Sequence, residues 1–206
     1  MILLFASQNT HKRLEMASLL IPHEISMPKD FGLEFSFDET EPTFIGNALG
    51  KADHLFNLTG KPSIADDSGL VVDALDGAPG IFSARYGTDV FGSTLDSTEK
   101  NRYLLDNLKQ VPRHLRTARF VCAMALVVSP YRRYVVQETV EGYIADKPFG
   151  DGGFGYDPVF LIGETDRTMA ELTDTEKNAI SHRGLAARSM LAILDTIEQK
   201  EVFHVC

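Results

Sequence analysis

Ile64-Ala65-Asp66-Asp67-Ser68-Gly69 places two adjacent carboxylates, a hydroxyl and a glycine behind a short apolar run. The run reads as a buried strand over 63–66, so the acids stand at the end of a strand. Neighbouring like charges raise each other's pKa unless a cation or hydrogen-bond donors compensate them, which makes such a pair costly as mere structure. Mg²⁺ is the natural compensator, a hard ion that takes oxygen ligands and usually holds a phosphate as well. Asp-Asp-Ser-Gly is also good turn chemistry, and a solvated turn is the competing reading of the same residues.

On the N-terminal side, Ile2 to Ala6 is continuously apolar and reads as a second buried strand. Ser7-Gln8-Asn9-Thr10 then supplies helix-start residues ahead of a Leu14, Ala17, Leu20 stripe. A strand-loop-helix junction suits phosphate, because a helix N-terminus offers N–H groups and partial positive charge, and Lys12 and Arg13 add full charges. Residues 35–42 are irregular and acidic; from Thr43, a suitable N-cap, a helix runs through Ala48, Ala52, Leu55 and Phe56 to a stop at Gly60.

On the C-terminal side, Leu70 to Leu75 reads as a further strand, and a turn-rich segment, 76–80, leads into Ile81 to Tyr86. Asp96 and Glu99 form a capping box for a helix over 97–110. Thr117–Val128 and Arg133–Ile144 are rich in Val, Phe, Tyr and Thr and predict an antiparallel hairpin. A Pro/Gly segment, 148–158, precedes a short strand, Val159–Ile162. Helices start at Thr173 and at Ser181, the last with a Leu185, Leu191, Leu194, Ile197 stripe. Alternating helices and strands around a central hairpin predict an α/β class with a mixed sheet and flanking helices. The expected architecture is one unit over 1–206, elongated and two-lobed, with a central cleft.

The formal charge of −9 excludes a general nucleic-acid binder, whose phosphate contacts need a basic surface. An anionic small substrate needs local Lys, Arg and metal against that field. Cys122 and Cys206 have no paired spacing, so reduced thiols and a cytoplasmic location are expected. No apolar run approaches about 18 residues, and no membrane association is expected.

Two phosphate motifs occur as near misses. Gly46-Asn47-Ala48-Leu49-Gly50-Lys51-Ala52 has a Gly-Lys pair, but its glycine spacing, its Ala52 and its helical setting are wrong for a P-loop. Gly150-Asp151-Gly152-Gly153-Phe154-Gly155 fits G-x-G-x-x-G, yet Pro148 and Asp157-Pro158 prevent a helix from opening there. Such glycines either form a plain surface loop or let the backbone approach a flat ligand, with Phe154 or Tyr156 as a stacking face. Ser181-His182-Arg183-Gly184 is a concentrated donor set or simply a capped helix start. His11, His23, His54, His114 and His204 lack ligand-like spacing.

Taken in order, several segments resemble the noncanonical purine nucleoside triphosphate pyrophosphatases, also called inosine triphosphate or dITP/XTP pyrophosphatases. Ser7-Gln8-Asn9-Thr10-His11-Lys12 resembles the family's Thr/Ser-x-Asn-x-x-Lys loop, and Thr43-Phe44-Ile45-Gly46-Asn47-Ala48 its Thr-Phe-x-x-Asn-Ala helix. Ile64 to Gly69, with Gly77-Ala78-Pro79-Gly80 and Ser83-Ala84-Arg85-Tyr86, resembles its central block. Phe154-Gly155-Tyr156-Asp157-Pro158, Ala170-Glu171-Leu172, Glu176-Lys177-Asn178 and Ser181-His182-Arg183 resemble its C-terminal signatures. Glu41 stands where the family usually has Gly, Gly46 where a Glu is common, and Gln8 where Gly is frequent.

The resemblance implies Mg²⁺-dependent hydrolysis of ITP, dITP or XTP to the monophosphate and pyrophosphate by a homodimer. It makes Asp67 the proton acceptor and a metal-linked carboxylate, with Glu39 as the second metal-binding acid. Ser7, Gln8, Asn9, Thr10, His11, Lys12, Ser68, Lys177, His182 and Arg183 become nucleotide contacts, and Phe154, Gly155, Tyr156 and Asp157 the base pocket. Asp66 is left to shape the turn. A pyrophosphatase for modified pyrimidine nucleotides is the competing enzyme. A nucleotide-binding regulatory module is the non-enzymatic alternative, and Asp66-Asp67 together with Glu39 argues against it.

Overall fold

The computed structural model describes residues 1–163 and 165–203; His204 and Cys206 lie outside them. The helices and strands run β1 (Ile2–Phe5), α1 (Thr10–Leu19), β2 (Glu24–Ser26), α2 (Phe44–Thr59), β3 (Ser63–Val72), α3 (Thr88–Phe91) and α4 (Ser97–Leu108). They continue with β4 (Thr117–Ser129), β5 (Arg132–Ile144), β6 (Phe160–Ile162), α5 (Asp174–Ile180) and α6 (His182–Phe203). The six strands form one sheet in the order β2-β1-β3-β4-β5-β6. β1 pairs parallel with β2 and β3, whereas β5 pairs antiparallel with β6, so the sheet is mixed, as the sequence pattern predicts. Only Pro130 and Tyr131 separate β4 from β5, a connection short enough to require a hairpin.

The structure departs most from the sequence pattern at Ile64–Gly69. The strands expected at 63–66 and 70–75 merge into one continuous strand, β3, which ends at Val72 with a 3-10 turn over Asp73–Leu75, and Asp66-Asp67-Ser68-Gly69 lies inside the strand. There is no turn for Asp66 to shape, because the ladder takes the backbone groups that a turn would have used. In α1 the expected stripe holds only at Leu20: Leu14 is 69% exposed and Ala17 is exposed, while Leu20 and, outside the stripe, Met16 are buried. Capping is as expected, with Thr43 Oγ1 accepting from Gly46 N and reciprocal boxes at Asp96/Glu99 and Thr173/Glu176.

Contacts divide the chain into two compact units, one holding Met1–Asp67, Cys122–Glu138 and the chain from Arg183 onward, the other Ser68–Val121 and Thr139–His182. In the first unit the strand residues alternate between two cores, as the two-residue period of a strand requires. Leu3, Phe5, Ile64, Cys122, Met124 and Leu126 pack with α1 and α6. Leu4, Ala6, Ala65, Ala123, Ala125 and Val127 pack with α2, where Ala48 and Ala52 keep the contact close. Cys122 is buried, and its thiol is pushed up to about 12 by that burial, so it is an inert core residue. The second unit gathers Leu70, Val72, Leu104, Leu108, Phe120, Ile144, Val159, Phe160 and Met169 into its own core. No helix among the described residues is long and apolar enough to cross a membrane.

Candidate active site

The pleat of β3 decides what the two acids do. Asp66 follows Ile64 onto the α1/α6 face and Asp67 follows Ala65 onto the α2 face, so adjacent carboxylates point into different layers. On the first face Asp66 is fully buried and pairs with Lys12 Nζ at 3.0 Å and with Arg183 Nη2 at 3.0 Å. Arg183 Nε donates to the same Oδ2, and Nη1 to Glu15. Burial by itself would raise the Asp66 carboxyl, but Lys12 and Arg183 outweigh it and hold the group well below the usual carboxylate range.

On the second face Asp67 Oδ1 lies 3.3 Å from Lys51 Nζ, and Oδ2 accepts from Asn47 Nδ2 at 3.1 Å. The same ammonium donates to Glu39 Oε1 at 2.8 Å. Glu39 and Asp67, separated by 28 positions in sequence, are therefore brought to one cation. Burial pushes the Asp67 carboxyl above its ordinary value; Lys51 works against that shift and Glu39 adds to it. Burial would lower Lys51, yet Asp67, Asp66 and Glu39 hold it above its ordinary value, so the ammonium stays charged.

The Ser7–Lys12 loop takes the helix-start form expected of it. Asn9 is the N-cap of α1, its Oδ1 accepting from His11 N at 2.9 Å and Lys12 N at 3.2 Å. Ser7 Oγ accepts from Asn9 N, and Gln8 donates to the Phe35 carbonyl. Gln8, Asn9, Thr10 and His11 are exposed. A cavity of about 700 Å³ opens beside Ser7 and Gln8, bordered by Lys29 and Phe35.

In the second unit, Asp157 organises the glycine-rich loop. Its Oδ2 accepts from Phe154 N at 2.8 Å and from Lys177 Nζ at 2.9 Å, both carboxylate and ammonium being buried. Lys177 Nζ also lies 4.7 Å from the centre of the Phe154 ring. Gly153 has φ +67, and a Cβ there would meet Asp157 Oδ2 at 2.1 Å, so only glycine lets the loop close on that carboxylate. Tyr156 is 5% exposed, packed in the core with its hydroxyl donating to Ser83 O, so of the two aromatics Phe154 is the one that offers a ring face. His182 is buried and stacks on Phe120, with ring centroids 4.7 Å apart. Ser68 is half-buried.

Two contributors escaped the sequence reading. Lys51 and Asn47 belong to the Gly46–Ala52 segment, which lies inside α2, the helical setting the sequence predicts, and turns both side chains toward the acids. Their spacing of four puts both on one face of α2. A lysine and an asparagine on the buried face of a helix directly after an acidic loop were the available signal.

Glu39 and Asp67 fit Mg²⁺ in chemistry, since both offer hard carboxylate oxygens and both already share a cation's charge through Lys51. Among the described residues no cluster of three or more His, Cys, Asp or Glu forms a complete ligand set. Two protein carboxylates suit an ion that keeps waters and takes further oxygens from a phosphate substrate.

Residues 3–193 match the Ham1 family. The chain is 48% identical over 185 residues to a dITP/XTP pyrophosphatase of Treponema denticola, covering 90% of this chain and 94% of that protein. It is 40% identical over 194 residues to a dITP/XTP pyrophosphatase of Bacillus subtilis, covering 93% and 96%. Among solved structures, a HAM1 protein from Coxiella burnetii superposes with a TM-score of 0.85 at 38% identity, covering 95% of this chain and 99% of that one. The Ham1 protein of Staphylococcus aureus superposes with a TM-score of 0.84 at 35% identity and the same coverages. With the family match spanning residues 3–193 and identities of 40–48% to relatives covered almost end to end, the chain belongs to the Ham1 family.

Proposed function

We propose that this protein hydrolyses noncanonical purine nucleoside triphosphates, ITP, dITP and XTP, to the nucleoside monophosphate and pyrophosphate. The observation that carries the reading is the meeting of Glu39 and Asp67 on Lys51, in a chain whose relatives are named dITP/XTP pyrophosphatases. Cleaving an α–β phosphoanhydride needs an in-line water, charge neutralisation and a stabilised leaving group. Glu39 and Asp67 would hold Mg²⁺, which supplies Lewis-acid polarisation of phosphate oxygens and charge neutralisation. Asp67 orients the water and takes its proton; a carboxyl raised by burial is a better proton acceptor than an ordinary one. Asn47 holds Asp67 by one oxygen, which fixes the direction of the other.

Ser7, Gln8, Asn9, Thr10, His11, Lys12 and Ser68 are assigned to the phosphates, with Lys12 and Lys177 spreading the charge that develops on pyrophosphate. Phe154, Gly155, Tyr156 and Asp157 are assigned to the base pocket. In it Phe154 supplies the ring, while Asp157 and the core-bound Tyr156 shape the loop from behind. His182 and Arg183 are assigned to the 6-oxo group, which hypoxanthine and xanthine carry and adenine lacks. A site built on such donors rejects adenine because its amino group leaves buried donors unsatisfied. A homodimer and a cytoplasmic location complete the reading.

The test is a substrate panel of ITP, XTP, GTP and ATP with Mg²⁺, scored for pyrophosphate against phosphate. Pyrophosphate from ITP and XTP is expected. Phosphate as first product places attack at the γ position, and equal hydrolysis of ATP and ITP removes the base-selection account.

A further inference from the structure

Gly46-Asn47-Ala48-Leu49-Gly50-Lys51 repeats a small residue and a polar one at a spacing of four, which on a helix makes two parallel stripes. The glycine stripe receives the acidic loop. A Cβ at Gly46 would meet Glu41 Cβ at 2.7 Å, and one at Gly50 would meet Phe37 Cζ at 2.7 Å. Phe37 and Glu41 stand two residues to either side of Glu39, so each notch seats one shoulder of the loop that carries this acid. Phe35 and Phe37 further rest on His54 of α2, with ring centroids 5.7 and 5.9 Å away.

The polar stripe does the complementary task. Asn47 is fully buried; its Oδ1 accepts from Glu41 N at 3.0 Å while its Nδ2 donates to Asp67 Oδ2 at 3.1 Å. One turn on, Lys51 bridges Glu39 and Asp67. One amide thus touches both the loop that bears one acid and the carboxylate of the other. The exchange at 41 and 46 also has a steric reason: a glutamate at 41 needs the room that glycine at 46 leaves.

We infer that α2 is a docking template in which Asn47, with the notches at Gly46 and Gly50, sets the separation of Glu39 and Asp67, making Asn47 a positioning residue for the reaction. The inference rests on the reading of Glu39 and Asp67 as cation ligands. The loop bearing Glu39 has no regular structure, since no helix or strand covers 33–43. Its geometry is therefore borrowed from the helix beneath it.

The experiment compares the 206-residue protein with its Asn47→Ala and Gly46→Ala variants. It measures Mn²⁺ affinity by electron paramagnetic resonance without nucleotide, hydrogen exchange at the Glu41 amide, and kcat and KM for ITP. Loss of a group that orients metal ligands costs about 10–100-fold in affinity or activity. Asn47→Ala should weaken Mn²⁺ binding at least about tenfold, lower kcat by a similar factor with KM changed less than about threefold, and speed Glu41 exchange. Gly46→Ala should show the same direction although alanine favours the helix, so a kcat loss without a fall in melting temperature separates positioning from stability. It also keeps the test open should Asn47→Ala not fold. Folded variants with Mn²⁺ binding and Glu41 exchange both unchanged overturn the inference. A wild-type chain that binds no Mn²⁺ overturns the metal reading instead; exchange at Glu41 then decides, faster exchange supporting the docking and unchanged exchange overturning it.

Discussion

The Lys51 ammonium lies 3.3 Å from Asp67 Oδ1, and it is the chief attraction working against the burial that raises this carboxyl. Replacing Lys51 with Met keeps much of the stem and deletes the charge. Asp67 then ionises at higher pH than in the wild type, because the effect that lowers its pKa has been removed and burial remains. The acidic limb of kcat against pH should move upward and activity near neutrality should fall. An unmoved limb would separate Lys51 from the state of Asp67.

Asp67→Asn removes the proton acceptor while keeping shape. Turnover of ITP should disappear, while calorimetric ITP binding stays within about threefold, the pattern of a group acting on the transition state. Retained turnover would take Asp67 out of the base role.

Asp66 carries a different expectation, one of stability. Its folded pKa lies below the ordinary 3.8, so the pairing contributes stability above that value and the contribution is lost as pH falls through the lower folded pKa. Asp66→Asn leaves Lys12 and Arg183 facing a neutral amide in a buried site and should cost about 3–5 kcal/mol near neutral pH. Urea unfolding across pH should show this gap closing on acidification below 3.8. A pH-independent gap would contradict the linkage.

Lys177→Met tests the glycine-rich loop. It withdraws the ammonium from buried Asp157, which should destabilise the fold by about 3 kcal/mol, and it releases Phe154 from a cation over its ring. A raised KM for ITP at a stability measured in parallel by urea unfolding checks both effects. Wild-type stability would show that the ion pair contributes nothing net.

Much of the scaffold is legible in local chemistry. Thr43, Asp96 and Thr173 announce their helices because capping is a contact over three residues. The two Val-rich runs announce the β4–β5 hairpin for a similarly local reason. In α1, Met16 and not Leu14 meets the sheet beside Leu20, and nothing within ten residues says where the sheet lies. Sequence leaves Phe154 and Tyr156 equivalent as ring faces beside glycines, and only Ser83 and the core, which hold Tyr156, separate them.

The sequence by itself determined that this is an α/β chain of the Ham1 type with acids at 39, 66 and 67 and basic residues spread from Lys12 to Arg183. Only the tertiary structure decided which acid does what. Adjacent residues look equivalent along a chain, but a continuous β3 turns them to opposite faces, giving Asp66 to Lys12 and Arg183 and Asp67 to Lys51 and Asn47. Partners from distant segments then set their charges, and that information exists only once the layers have packed.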